Sequence, residues 1–190
     1  MTEPTRDATR PASLQAVEAA VWHELAQAGQ QRGHAWRHPV LATIDGDAAD
    51  ARTVVLRDLD AETRTLLIYT DARSPKVRQI EAHPLGTLVL WSPRLAWQLR
   101  ARVELTLVTS GLAVSSRWAR LKLTPSAQDY LSPQAPGTPL DGPVPLPERT
   151  TRENFALLSA RVLSLDWLEL HAQGPRRAAF DEHGARWLTP

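Results

Sequence analysis

The sequence predicts a mainly β, α+β domain: a small antiparallel barrel or sandwich with short helices at its ends and edges. Three observations carry this. Residues 96–109 alternate strictly, with Trp97, Leu99, Ala101, Val103, Leu105 and Leu107 on one face. Gln98, Arg100, Arg102, Glu104 and Thr106 lie on the other face, and a long strand with one polar face belongs to an antiparallel sheet. The remaining apolar runs are short and divided by turn residues, which brings the count to about seven strands. The glycine patterns of a dinucleotide-binding parallel sheet and of a P-loop do not occur in the sequence.

Length and composition bound the rest. A chain of 190 residues suits one domain with a full core, read here as residues 13–190 behind a disordered tail at 1–12. Apolar residues make up 43% and charged residues 23%, the balance of an ordinary globular protein. With 22 basic against 21 acidic residues there is no global positive field for nucleic acid, so any cationic site has to be local. The sequence holds no cysteine, which removes disulfides, thiolate metal sites and a thiol nucleophile together. The opening MTEPTRDATRPAS has no apolar signal core, and no run approaches the ~18 apolar residues of a membrane span. The expectation is a cytoplasmic protein without a membrane partner.

Taken in order, Ser13 can cap a helix running to about Gln30, with Leu14, Val17, Val21 and Leu25 on its apolar face. The loop QRGHAWRHP follows, where His34 and His38 read as solvated residues rather than metal ligands. VLATID, TVVL and TLLIYT are strand candidates, the last two joined by a hairpin over Asp60-Ala61-Glu62-Thr63. Ser74 and Pro75 start a helix that ends at His83, before Pro84. TLVLW and the 96–109 strand come next, and residues 113–131 read as two short helices divided at Thr124-Pro125. A stretch with six prolines, SPQAPGTPLDGPVPLPERT, is a loop of the kind that serves as a lid or interface arm. A last helix is expected over Thr151–Ala160, then closing strands at 161–171, 176–181 and 185–188.

The chemistry concentrates between Arg52 and Lys76. A helix beginning at Ser74-Pro75 offers free backbone N–H groups and the positive end of its dipole. Arg73, Lys76 and the Thr70 hydroxyl cluster at that start, a set suited to a phosphate monoester; the same residues also read as ordinary surface basics around a capped helix. Arg52 and Arg57 are five apart, so a regular strand would send them to opposite faces unless it bulges. No organised nucleophile or His/Asp/Glu set accompanies this cluster, which points to chemistry carried by a cofactor. The catalytic residues stay unassigned and no metal ligand set is read.

The order of these elements resembles the pyridoxamine 5'-phosphate oxidase family of FMN-binding split barrels. The matching residues are Arg52-Thr53-Val54-Val55-Leu56-Arg57, like the family's R-x-V-L-L-K strand; Tyr69-Thr70, like its Y-T pair; and Ser74-Pro75-Lys76, like its S-R-K turn. Gln98 falls 22 residues after Lys76, at the family's spacing for a flavin-contacting glutamine. The resemblance covers residues 40 to 110 well and 161 to 190 weakly, and is nearest to a shorter branch with a D-x-R-S-x-K turn. It implies an antiparallel split β-barrel with peripheral helices, homodimeric, with FMN at the subunit interface. It further implies that Arg52 to Arg57 line the ring and ribityl chain, that Thr70, Ser74 and Lys76 hold the phosphate, and that Gln98 approaches the ring. The implied activity is an FMN-dependent oxidoreductase acting on a small molecule.

Several positions depart from the family pattern. Arg57 stands for a lysine and Pro75 for a phosphate-binding arginine, which Arg73 could replace. Ala179 stands where the family tends to carry a flavin-contacting arginine, with Arg176 and Arg177 just upstream. Two other functions fit the same fold: a flavin carrier or sensor without turnover, and a split barrel holding another planar cofactor such as haem, with His171 or His183 as axial ligand.

Overall fold

The computed structural model describes residues 10–142 and 154–190. Among them are nine antiparallel strands in one sheet and three α-helices. The strands are β1 (Val40–Asp45), β2 (Ala48–Thr53), β3 (Leu56–Asp60), β4 (Thr65–Asp71), β5 (Leu85–Ser92), β6 (Trp97–Val108), β7 (Phe155–Glu169), β8 (Arg176–Asp181) and β9 (Gly184–Leu188). The helices are α1 (Leu14–Gln30), α2 (Pro75–Ala82) and α3 (Leu112–Leu121).

The sheet runs β2-β1-β5-β6-β7-β4-β3 and branches at β7, which also pairs with β8, and β8 with β9. Strand β7 makes this branch possible by its length of 15 residues. Along one edge it follows β6 from Leu157 to Glu169; along the other its first half pairs with β4 and its last five residues with β8. A register shift at Arg102/Val103 leaves Leu163 as an extra residue, and such a bulge bends a strand and raises its twist. The sheet therefore curls into two arms and stays open between β2 and β3, the split form of a barrel.

The expected alternation of residues 96–109 is realised in β6. Leu99, Ala101 and Val103 are wholly buried, while Gln98, Arg100 and Arg102 look out of the opposite face. Its inward residues join Trp36, Leu88, Leu90 and Trp167 in the main core, and α1 closes one end with Val17, Val21, Leu25 and Ala28. Ser13 caps α1 as expected, its hydroxyl accepting from the Ala16 amide at 3.2 Å. A second, smaller core joins Val114, Leu121, Tyr130, Leu131 and Phe155 beneath α3 and a 3-10 turn at Pro125–Tyr130.

Several expectations change. Residues from Phe155 onward form β7 rather than a helix, and residues 151–153 lie outside the described part. Phe155, Ala156, Leu157 and Leu158 are all buried because β7 is covered on both faces here, so its continuous apolar run has no period-two signature. The run TVVL is not one strand: Thr53 ends β2, Val54 and Val55 cross a gap, and Leu56 opens β3. The Val54 amide donates to the Pro39 carbonyl at 2.9 Å, which anchors the crossing. Strand β2, which pairs with β1 around a turn at Gly46 (φ +60°), is an unanticipated partner and raises the strand count. His34 is not a solvated residue; its Nε2 lies 2.9 Å from Glu24 and its Nδ1 accepts from the Trp36 amide. Within the expected tail, Arg10 bonds Glu169 and Arg176 holds the Pro11 carbonyl, while residues 1–9 lie outside the described part.

Candidate functional site

Where β2 breaks, β4 ends and α2 begins, the chain encloses a cavity of about 220 Å³. The Arg52–Val55 crossing forms one wall and Ile68–Asp71 a second. Ser74 and Lys76 of the α2 start form the floor, and Asp129, Tyr130 and Pro136 close the outer side.

The cationic end is built by a local device. Pro75 occupies the first helical position, and the Ser74 side chain makes no capping bond. Its hydroxyl instead accepts from Lys76 Nζ at 2.9 Å and sits 3.3 Å from Thr70 Oγ1. Lys76 Nζ also reaches Thr70 Oγ1 at 3.3 Å, so an ammonium and two hydroxyls converge on one point beside the helix start. Thr70 and Ser74 are buried. Burial, and then the neighbouring Arg52 charge, lower the Lys76 pKa from its ordinary value. An anion arriving there would relieve both effects.

Arg52 is held in place by a polar network in which Thr43 and Gln79 are buried and Asp50 is partly exposed. It donates to the Leu41 carbonyl (3.2 Å), Thr43 Oγ1 (2.5 Å) and Gln79 Oε1 (2.8 Å), and it pairs with Asp50. Gln79 ties the set together: its amide donates to Asp50 at 2.9 Å while its oxygen also accepts from Thr43 at 2.6 Å. Hydrogen bonds from Gln79 and then Arg52 keep the Asp50 carboxyl below its ordinary range. Sequence reading passed over Gln79 and Thr43; the one available signal was that Gln79 lies on the α2 face shared with Lys76.

Eight of the twelve sequence-predicted residues thus meet at the cavity: Arg52, Thr53, Val54, Val55, Tyr69, Thr70, Ser74 and Lys76. Leu56 is buried in the main core instead. Arg57 occupies the bulge position of β3, where the register against β4 shifts. Its guanidinium lies over the Tyr69 ring, 5.3 Å from the centroid, and its Nε is buried without a hydrogen-bond partner among the described residues. Arg73 turns away from the cavity: it pairs with Asp71 at 2.8 Å and donates to carbonyls of residues 132–134. Gln98 stands on the outer face of β6, between Trp91 and Leu168, and does not line the cavity.

A second concavity of about 330 Å³ lies on that outer face, among Arg100, Arg102, Asp166, Ala179, Asp181 and Arg186. Asp166 accepts from Arg177 and pairs with Arg100, so Arg177 is engaged here, while Arg176 bonds Glu169. Neither histidine considered for haem lines either cavity; His171 Nδ1 accepts from the Gln173 amide and His183 is exposed. No group of three or more metal-binding side chains occurs among the described residues.

Residues 19–109 match the family described as pyridoxamine 5'-phosphate oxidase, FMN-binding domain. The matched range holds the whole cationic end and its network. Over this range the chain is similar to the pyridoxamine 5'-phosphate oxidase-related family. A pyridoxamine 5'-phosphate oxidase-related, FMN binding protein from Nostoc punctiforme is 25% identical, with a TM-score of 0.72 over 90% of this chain and 96% of that one. PhzG from Burkholderia lata, solved in complex with tetrahydrophenazine-1-carboxylic acid, shares the fold at a TM-score of 0.71 over 100% and 99% of the two chains, with 15% identity. Among curated proteins, the pyridoxine/pyridoxamine 5'-phosphate oxidase of Caulobacter vibrioides is 32% identical over 57% of this chain and 49% of its own length. That of Azorhizobium caulinodans is 40% identical over 38% and 34%. The chain spans half the length, or less, of the curated relatives it matches.

Proposed function

We propose that this chain binds FMN through its phosphate and acts as a homodimeric FMN-dependent oxidoreductase on a small molecule in the cytoplasm. The observation that carries this is the convergence of Lys76 Nζ with the Thr70 and Ser74 hydroxyls at the start of α2. The donor set suits a phosphate monoester: one ammonium, two hydroxyls and a guanidinium braced by Asp50 and Gln79. Its place within the family-matched range supports FMN over another phosphate.

The volume argues for a second subunit. About 220 Å³ is below the roughly 300–1,000 Å³ of complete ligand pockets, so the cavity among the described residues suits the phosphate and adjoining ribityl chain better than a whole flavin. The outer face of β1 and β5 exposes Val40, Ile44, Leu85 and Trp91, an apolar strip that a second copy would cover. When bound, the flavin would supply hydride acceptance from the substrate. The protein's part is to hold the phosphate, keep Arg52 pointed at it, and present the Val54-Val55 crossing and Tyr69 to the remainder of the cofactor.

Titration of cofactor-free protein with FMN tests this. Flavin fluorescence should quench to a stoichiometry near one per chain, and the bound protein should be yellow. A chain that leaves added FMN unquenched overturns the proposal. Anaerobic bleaching by an amine or a reduced nicotinamide then separates an oxidoreductase from a carrier or sensor, which would bind FMN and resist reduction.

A further inference from the structure

Arg73 was expected to help bind an anion, yet every one of its side-chain contacts points elsewhere. Its Nε and Nη2 hold both oxygens of Asp71, at 3.1 and 2.8 Å, and the Asp71 side chain is almost wholly buried. The same guanidinium donates outward to the carbonyls of Ser132 (2.8 Å), Pro133 (3.1 Å) and Gln134 (3.3 Å), residues about sixty positions later in the chain. A planar five-donor fork can serve a carboxylate on one edge and backbone acceptors on the other; an ammonium cannot span both. The carbonyl run so held lies between Asp129-Tyr130 and Pro136, the residues that close the cavity's outer side. Near Gly137 the strap also passes close to Pro75 of α2: a Cβ built at Gly137 would sit 3.6 Å from the Pro75 ring.

We propose that Arg73 is a positioning residue that fastens the strap Asp129–Gly137 as the outer wall of the cavity, and so sets how fast bound FMN leaves. The off-rate part rests on the FMN reading above. Asp71 orients the fork, Arg73 carries the strap, and the strap brings Asp129, Tyr130 and Pro136 against the ligand. The Arg73 guanidinium keeps its charge, because the Asp71 hydrogen bonds raise its pKa further. The wall therefore stays fastened across the physiological pH range.

Two measurements on the full chain test this. Without FMN, chymotrypsin should cut after Tyr130 sooner in Arg73→Ala than in the wild type, because Tyr130 is buried in the structure and loss of the proposed fastening would free the strap that follows it. With FMN, dissociation followed by stopped-flow fluorescence should quicken by about tenfold, the loss of one charge-assisted hydrogen bond, with association little changed. Arg73→Lys should not rescue either readout, and it decides the matter if Arg73→Ala fails to fold. Unchanged cleavage in a folded variant would overturn the fastening role. Faster cleavage with an unaltered FMN off-rate would overturn the claim that the strap walls the site. If the wild type binds no FMN, the cofactor reading fails together with the off-rate claim, while the cleavage result still decides the fastening.

Discussion

Lys76 concentrates the site's electrostatics in one atom. Its ammonium is partly buried beside Arg52 and, among the described residues, hydrogen-bonded to hydroxyls; Asp71 and Asp50 offset part of the cost of its burial, and an arriving anion would offset more. Replacing it by alanine should weaken FMN binding more than tenfold, about 1.5–3 kcal/mol for a charge-assisted hydrogen bond, measured by fluorescence titration. The pH dependence follows from the direction of its shift. Burial first, and Arg52 second, place the Lys76 pKa below its ordinary 10.5. Between that lowered value and 10.5 the folded, cofactor-free chain binds fewer protons than the unfolded one, so this group's contribution to stability rises with pH across the window. FMN affinity should move the opposite way, falling as pH rises through the lowered value and Lys76 loses its charge. In Lys76→Ala that alkaline limb should disappear, and an unchanged limb would assign it to another group.

At the scale of elements, the site depends on how β1, β5 and β6 pack beneath α2. Gly86 on β5 stands where a Cβ would lie 2.8 Å from Leu105 Cδ1 and 3.0 Å from the Ala42 carbonyl. The leucine tip can move but the backbone oxygen cannot, so Gly86→Ala should destabilise the fold by about 1–3 kcal/mol, read from the urea midpoint. A neutral result would mean that β1 and β5 can part without cost. The elements also show what periodicity reports. Strand β6 was legible residue by residue because one of its faces is polar. The start of β7 was not, because Phe155 to Leu158 are buried on both sides and an unbroken apolar run serves a helix or a central strand equally well. Strand β2 was hidden for the opposite reason: Ala48-Ala49-Asp50-Ala51 has no apolar side chain larger than alanine, and its strand character comes from pairing with β1.

At the scale of the whole molecule, the proposed dimer makes a prediction about the outer face of the sheet. The apolar strip on β1 and β5 leads across the outer face to Gln98 and the charged concavity around Arg100, Asp166 and Arg186. If a second copy covers that strip, Trp91 is its largest anchor. Trp91→Asp should then cost about 2 kcal/mol or more of association, roughly thirtyfold in the dimer dissociation constant, seen by sedimentation velocity. FMN affinity should fall with it, because the site would lose the partner's contribution. An unaltered sedimentation profile would remove this face from the interface. Gln98 also belongs at this scale: its side of β6 is the outer one, so the contact proposed for it at the cofactor would be made across a subunit interface.

The sequence by itself determined the sheet type, the start of α2, and the grouping of Thr70, Ser74 and Lys76, because these follow from local spacing, capping preference and strand alternation. It also carried the family likeness, through motifs that are contiguous in the chain. The tertiary structure alone decided which arginine serves which purpose. Arg52 is fixed by Thr43, Asp50 and Gln79, and Arg73 is taken up by Asp71 and by carbonyls about sixty residues away. Arg57 is displaced onto Tyr69 by a bulge. All three are long cations near one turn, and spacing cannot separate them: the acceptors that claim each one are brought together only by the folded sheet.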